Sequence, residues 1–124
     1  MAKKVDDSVL DAALDKIATS VNLTVTSAEP ANYAGIAAVA LADVVLTAGD
    51  GNGDYTVADG DTNGRKLTVL AQTSFLVDTS GTATHVCLDD GVTLLYVTTC
   101  TSQALTSGNT VSTPAWDIEI ADPV

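Results

Sequence analysis

Hydrophobic residues near the start of the chain recur at the spacing of one helix face. Between residues 5 and 21 they form a single apolar stripe. Its members are Val5, Val9, Leu10, Ala13, Leu14, Ile17 and Val21. Asp6, Asp7 and Ser8 supply a cap and negative charge at the positive end of the helix dipole. The sequence therefore predicts an amphipathic helix over residues 5–21. That helix either covers the core of its own domain or docks on a partner, and its interface candidates are Val9, Leu10, Leu14 and Ile17.

After residue 21 the hydrophobic period becomes that of strands. Strand-like segments lie at 22–30, 40–48, 54–60, 65–72, 74–78, 82–89, 92–99, 109–114 and 116–120, while 31–39 fits either a helical turn or a loop. Turn-forming Gly, Asp, Asn and Ser residues separate these segments every 8 to 12 residues. The pattern predicts an all-β, antiparallel, jelly-roll-like sandwich of seven or eight short strands over residues 22–124. We expect one domain, 1–124, with the helix at its N-terminus.

Asp90-Gly91 is the strongest hairpin signal in the chain, because Asp-Gly favours a two-residue turn. That turn predicts that Cys87 lies opposite Leu94 and that His85 lies opposite Tyr96. Both faces of this hairpin would then be largely apolar, whereas an antiparallel hairpin usually has one polar face. Either the N-terminal helix or a second subunit or partner would cover the second face. His85, Cys87, Leu94 and Tyr96 are therefore interface candidates.

The chain contains two cysteines, Cys87 and Cys100. In the predicted register they lie roughly 20 Å apart along the strands, at about 3.3 Å per residue. A disulfide within the chain needs Cα atoms within about 7 Å, so the pattern predicts free thiols, which suit a reducing compartment. The alternative is a disulfide between two copies of the chain.

The charge balance excludes several classes of partner. With 16 acidic and five basic residues the net charge is −11, which disfavours nucleic acid and anionic membranes. No apolar segment follows the two lysines near the N-terminus, so no secretory signal is predicted. The most apolar window, 34–49, is short and contains Asp43, and it does not predict a membrane span.

Motifs for catalysis are absent from the sequence. There is no nucleophile elbow, phosphate-binding loop, zinc-protease motif or dinucleotide fingerprint. The single histidine, His85, lies inside a predicted strand, and its spacing from Cys87 is too long for a nucleophile–base hydrogen bond. We therefore expect a protein that is not an enzyme and needs no cofactor.

The acidic stretch 50–65 has the beginning of a calcium-loop pattern. Asp50, Asn52 and Asp54 match the first ligand positions of an EF-hand. Tyr55 stands where that loop needs glycine, and Asp61 stands where it needs the longer, bidentate Glu. Two consecutive glycine-and-aspartate turns explain the same residues without a metal, and this is the preferred interpretation.

The second half of the chain resembles a family of small proteins encoded among the virion structural genes of tailed bacteriophages. The resemblance is carried by "VADGDTNGRKLTV", "GTATHVCLDD", "TLLYVTTCTSQALTSGNTV" and "PAWDIEIADP", with weaker similarity at "SAEP". It contains no catalytic motif and transfers no binding residue. It implies a virion component assembled in the cytoplasm of a bacterial host.

The resemblance implies the first two of three functional hypotheses, and the acidic stretch suggests the third. The first is a capsid decoration, or cement, protein that binds the major capsid protein on the capsid surface as a small homo-oligomer. The second is an adaptor or ring subunit in the neck or tail. The third, of another class, is a calcium-dependent binding module.

Overall fold

The computed structural model describes residues 3–123, which form two helices and nine strands. The helices are α1 (Asp7–Ile17) and α2 (Ile36–Val39), and a 3-10 turn at Tyr33–Gly35 leads into α2. The strands are β1 (Asn22–Thr26), β2 (Ala40–Val45), β3 (Tyr55–Asp59), β4 (Arg65–Val69), β5 (Gln72–Leu76), β6 (Gly81–Asp89), β7 (Leu94–Leu105), β8 (Thr110–Thr113) and β9 (Trp116–Ile120). Within the described residues, no helix is long and apolar enough to cross a bilayer.

The strands form three antiparallel sheets around one apolar core. The four-stranded sheet has the order β2-β1-β6-β7, the three-stranded sheet β3-β4-β9, and the two-stranded sheet pairs β5 with β8. Fully buried side chains from different sheets, such as Leu23, Leu67 and Leu88, meet between the sheets. The predicted all-β, antiparallel, sandwich-like class with an N-terminal helix is confirmed.

Helix α1 is shorter than the predicted range 5–21. It begins after Asp6, whose side chain accepts a hydrogen bond from the Ser8 amide (3.0 Å). It ends at Ile17 because the chain beyond is already bonded to strands. The Val21 amide donates to the Asp89 carbonyl (2.8 Å), and the Val21 carbonyl accepts from Leu46 (2.7 Å). Tertiary hydrogen bonds thus replace the helical ones that the hydrophobic period predicts.

Helix α1 packs on its own domain. Leu14 is fully buried and Leu10 nearly so, and the helix lies against β3, β4 and β7. An ion pair between Arg65 Nε on β4 and Asp11 Oδ1 on α1 (2.7 Å) fixes the helix further. Of the two alternatives for the helix, the structure therefore shows the one in which it covers the core of its own domain.

The four-stranded sheet has two different sides. On one side Leu23 and Val25 of β1 belong to the core. On the other side Thr24 and Thr26 are buried although they are polar. The segment 33–39, which includes α2, lies over this second side and contacts β1. The prediction that the N-terminal helix covers the second side is therefore wrong, because α1 packs elsewhere.

The hairpin register at Asp90-Gly91 also differs from the prediction. Asp89 pairs with Leu94, Leu88 with Tyr96, and Cys87 with Val97. The connection is a four-residue loop, 90–93, in which Asp90 Oδ1 accepts from the amides of Val92 (2.9 Å) and Thr93 (2.7 Å). The carboxylate stabilises a wider turn than Asp-Gly alone predicts, and the predicted pairs Cys87–Leu94 and His85–Tyr96 are wrong.

Candidate interaction surface

The segment from Gly91 to Trp116 contains no Asp, Glu, Lys or Arg, although the chain carries a net charge of −11. It includes all of β7 and β8. In the tail of β7, residues 98–104 are exposed or half-buried, and the side chains there are hydroxyl, thiol, amide or methyl groups. Charge is therefore confined to the rest of the molecule, and this segment forms a neutral surface.

A cavity of about 250 Å³ opens on this surface between β7 and β8. We call it the neutral groove, and it is lined by Val25, Ala83, Val86, Cys100, Thr101, Gln103, Leu105, Val111, Ser112, Thr113 and Pro114. Core residues of β1 and β6 form its floor, and polar but uncharged side chains form its rim. No lining residue is charged, so the binding of a partner would not require the dehydration of a charged side chain in the groove.

The topology explains why the sandwich is open at this point. β7 is an edge strand of the four-stranded sheet, and β8 is paired only with β5 among the described strands. The two strands flank the groove without being bonded to each other. Edge strands in soluble proteins are commonly protected by charged residues. The β7 tail has none, although an irregularity in pairing between Ala83 and His85 interrupts its regular edge.

Two polar groups in the groove have distinctive surroundings. The hydroxyl oxygen of Thr113 is buried and has no hydrogen-bond partner in residues 3–123. Partial burial raises the pKa of the Cys100 thiol, so this thiol is protonated at neutral pH and a poor nucleophile. The Cys100 thiol therefore suits packing against a partner better than covalent chemistry, whereas the Thr113 hydroxyl is occluded in this conformation.

The four hairpin candidates do not form one outward face. Tyr96 packs towards the core, with its ring stacked on that of Trp116 at a centroid distance of 5.9 Å. Cys87 is fully buried on the opposite side of the sheet, where its sulfur lies 3.8 Å from Thr26 Oγ1. Leu94 and His85 are half-buried. Tyr96 and Cys87 therefore contribute to the fold rather than to a free surface.

The helix candidates are divided in the same way. Leu10 and Leu14 are buried in the core, and Ile17 packs against it. Only Val9 is well exposed, at 57%. The apolar stripe of α1 is thus already occupied by its own domain.

The acidic stretch consists of turns whose side chains are bonded to the chain itself. Asp50 accepts from the Val57 amide (2.9 Å), and Asp54 accepts from the Thr47 amide (2.6 Å) and Gln72 (2.9 Å). Asn52 donates its side-chain amide to the Ala48 carbonyl (2.8 Å). This geometry supports the interpretation as glycine-and-aspartate turns, and the calcium-dependent module stays a prediction.

Asp61 belongs to a separate, exposed group with Asp117 and Glu119. Lys66 Nζ lies 2.7 Å from Asp61 and 3.6 Å from Asp117, so a lysine already provides positive charge beside this group. The ion pair lowers the pKa of Asp61 and raises that of Lys66. The cluster is explained as a surface salt-bridge network.

His85 does not form a catalytic constellation with the described residues. Its Nδ1 lies 2.8 Å from the hydroxyl of its neighbour Thr84, and within residues 3–123 no other side-chain hydrogen bond involves its ring. Burial raises the pKa of the Cys87 thiol, which therefore stays protonated on the sheet. That the protein is not an enzyme remains a prediction.

No family model matches the chain, and no curated protein or solved structure is significantly similar to it. The resemblance to virion proteins therefore stays a prediction. The sequence motifs do not predict the neutral groove, although the sequence contains a signal for it. That signal is the uncharged run from Gly91 to Trp116 in an otherwise acidic chain.

Proposed function

We propose that this protein is a structural component of a tailed-phage virion, a decoration protein that binds the major capsid protein on the outer surface of the shell. The observation that carries the proposal is the neutral groove. The resemblance of residues 54–123 to virion proteins supports the same class. Assembly would take place in the cytoplasm of the bacterial host, and the capsid surface would be the final location.

The distribution of charge favours the neutral groove as the face that binds the shell. Copies of a chain with net charge −11 repel one another, and repulsion grows as they crowd on a shell. A contact through the neutral groove places the uncharged segment against the partner and leaves the carboxylates directed towards solvent. This orientation limits the repulsion between neighbouring copies when many of them occupy the shell.

Shape and hydrogen bonding favour an extended segment of the shell protein as the occupant. The groove is a slot between two strands, and its floor includes the apolar side chains of Val25 and Val86. Unpaired backbone groups on edge strands can bond an added strand, while alternate side chains fill pockets. An apolar, uncharged loop or arm of the shell protein fits these requirements.

The copy number in purified virions tests the function itself. A decoration protein is expected in hundreds of copies per particle, because it follows the symmetry of the shell. About a dozen copies would instead indicate the neck or tail adaptor, as expected for a ring of cyclic symmetry. Absence from purified virions would overturn both assignments.

Alkylation of Cys100 tests the use of the groove. Cys87 is fully buried, so Cys100 is the accessible thiol in the folded protein. We expect shell binding to slow its alkylation about tenfold or more, since docking would exclude the reagent. An unchanged rate on fully decorated particles would show that another face binds.

A further inference from the structure

A second cavity, of about 470 Å³, lies on the side of the four-stranded sheet away from the core. We call it the acidic pocket, and its polar lining consists of Asn22, Thr24, Asp43, Asp78, Thr79 and Asp89. The 3-10 turn and α2 form an opposite wall with Tyr33, Ile36 and Ala37. Asp43 and Asp78 are exposed near the entrance, whereas Thr24 and Asp89 are buried. The neutral groove and this pocket therefore share no lining residue.

Asp89 places a carboxylate deep in the pocket, with only 2% of the residue exposed. Its Oδ1 accepts hydrogen bonds from the Asn22 side chain (3.0 Å) and the Gly91 amide (2.9 Å). Its Oδ2 has no hydrogen-bond partner among the described residues. A buried carboxylate is normally paired, because the loss of hydration is costly. This oxygen is therefore available to a donor within the pocket.

Thr24 supplies an independent indication of a ligand. The residue is 4% exposed, lines the pocket, and has no side-chain hydrogen bond within residues 3–123. Buried hydroxyl groups are almost always bonded to protein or water. Because the Thr24 hydroxyl lines the cavity and has no protein partner among the described residues, its hydrogen-bonding capacity is open to water or to a polar ligand that enters the pocket.

The negative charge of the pocket has no cationic partner in the described part of the chain. The ion pairs there involve Arg65 and Lys66, and neither contacts Asp43, Asp78 or Asp89. Asp43 and Asp78 line the same cavity, so two like charges are placed near each other at its entrance. Loss of hydration, followed by the influence of Asp78 and Asp89, raises the pKa of Asp43. A bound cation would relieve this repulsion.

The arrangement of the carboxylates favours an extended organic cation over a single metal ion. Oxygen atoms of Asp43, Asp78 and Asp89 do not all converge within 4.8 Å, the spacing at which three carboxylates could share one ion. A guanidinium presents several N–H donors in a plane and can reach carboxylates at different depths. The aromatic ring of Tyr33 in the opposite wall can contact the face of such a cation.

We propose that the acidic pocket binds a guanidinium or alkylammonium group, with Asp43 and Asp78 at the entrance and Asp89 and Thr24 at the floor. The group can belong to a free small amine or to an Arg or Lys side chain of a protein. The proposal rests on a different surface from the neutral groove and is independent of the virion assignment. Either source provides the same charge and the same hydrogen-bond donors.

The test is a titration of the purified protein with n-butylguanidinium, followed by amide chemical shifts. The neutral analogue n-butylurea has a similar shape without the charge and serves as the ligand control. We expect saturable shifts around Thr24, Asp43 and Asp89 with the cation and none with the urea. Equal binding of both ligands, or no saturable shift with the cation, would overturn the proposal.

Two double variants locate the site. Asp43→Asn with Asp78→Asn removes the entrance charges, and both residues are exposed, so the fold should persist. We expect affinity to fall about tenfold or more, since hydrogen bonds to charged groups are the strong ones. Asp61→Asn with Glu119→Gln removes the same charge from the exposed cluster and should leave affinity unchanged. Unchanged affinity in the first variant, or an equal loss in both, would refute the site.

Two further ligands distinguish the alternatives. A blocked Gly-Arg-Gly peptide that binds more tightly than n-butylguanidinium would identify a protein side chain as the source, and weaker binding of the peptide would identify a free amine. Both results support the pocket as a site for organic cations. Saturable calcium binding that displaces n-butylguanidinium at equal concentration would contradict it and indicate a metal site.

Discussion

The neutral groove and the acidic pocket lie on opposite sides of the same strand, β1. Val25 is part of the groove floor, and the preceding residue, Thr24, is part of the pocket floor. Successive side chains of a strand point to opposite faces, so one short segment supports both surfaces. The backbone scaffold is shared, and the two surfaces differ in the charge of the side chains around them.

That difference predicts different partners. The groove offers apolar area and uncharged polar groups, so its contacts should depend on burial and be almost independent of salt. The pocket offers three carboxylates, two of them exposed, so its contacts should weaken as salt rises. One face is suited to a neutral protein segment and the other to a cation.

The largest expected effect concerns the sheet that both regions share. Leu88→Ala removes a fully buried side chain on β6 and should reduce the free energy of unfolding by about 2–5 kcal/mol. Chemical denaturation measures it. The matched control Leu76→Ala, at a side chain that is 55% exposed, should change stability much less. Similar losses in the two variants would contradict the placement of the core.

A smaller effect is expected on the pocket side alone. Asp89→Ala would leave the Asn22 amide and the Gly91 N–H without their acceptor. The expected loss of stability is about 1–3 kcal/mol, the usual cost of a buried unsatisfied polar group. Asp15→Ala, on the exposed face of α1, is the control in denaturant titrations. If Asp89→Ala is as stable as this control, the carboxylate does not organise the pocket.

Asp43→Asn should increase the free energy of unfolding at neutral pH, in contrast to the two preceding substitutions, which reduce it. The folded state raises the pKa of this carboxyl above its ordinary 3.8, so the folded protein binds more protons in the window just above that value. Wild-type stability contributed by Asp43 therefore falls as pH rises through the window. The variant should be more stable at pH 7 by less than about 1 kcal/mol, because the group is exposed and screened. Melting curves of both proteins from pH 3 to 8 measure the effect. A variant that is less stable than wild type at pH 7 would contradict the repulsion.

The smallest effect on stability is expected in the groove. Thr101→Asp with Gln103→Glu adds two charges at exposed rim positions. Surface changes of this kind usually alter stability within about 0.5 kcal/mol. Thermal melting beside wild type checks this expectation. A loss of several kcal/mol would show that the rim belongs to the core, and these variants would then be unsuitable as probes of binding.

The sequence predicted the secondary structure better than the tertiary contacts. Each of the nine strands lies within or overlaps a predicted segment, because alternation and turn residues are local signals. The end of α1 and the hairpin register could not be predicted in the same way. They depend on hydrogen bonds between distant residues, such as Val21 with Asp89, and on the Asp90 side chain in the loop.

The two candidate sites also differ in whether the sequence predicts them. The groove could have been inferred from the uncharged run 91–116, which is visible in the sequence. The pocket could not have been inferred from the sequence, because Asp43, Asp78 and Asp89 come from separate segments and resemble the other aspartates of an acidic chain. Only the fold shows that these three aspartates line one cavity. It also shows that no residue of the acidic stretch 50–65 lines this cavity.

The binding of groove variants to shells that lack this protein tests most directly whether the neutral groove is the face that binds. Wild type, Thr101→Asp/Gln103→Glu and a control with one added charge on another sheet, Thr56→Asp, would be mixed with such particles and the bound copies counted. We expect full occupancy by wild type and by Thr56→Asp. Occupancy by the groove variant should be reduced about tenfold or more, because each buried unpaired charge is costly. Full occupancy by the groove variant would show that the neutral groove is not the face that binds the shell.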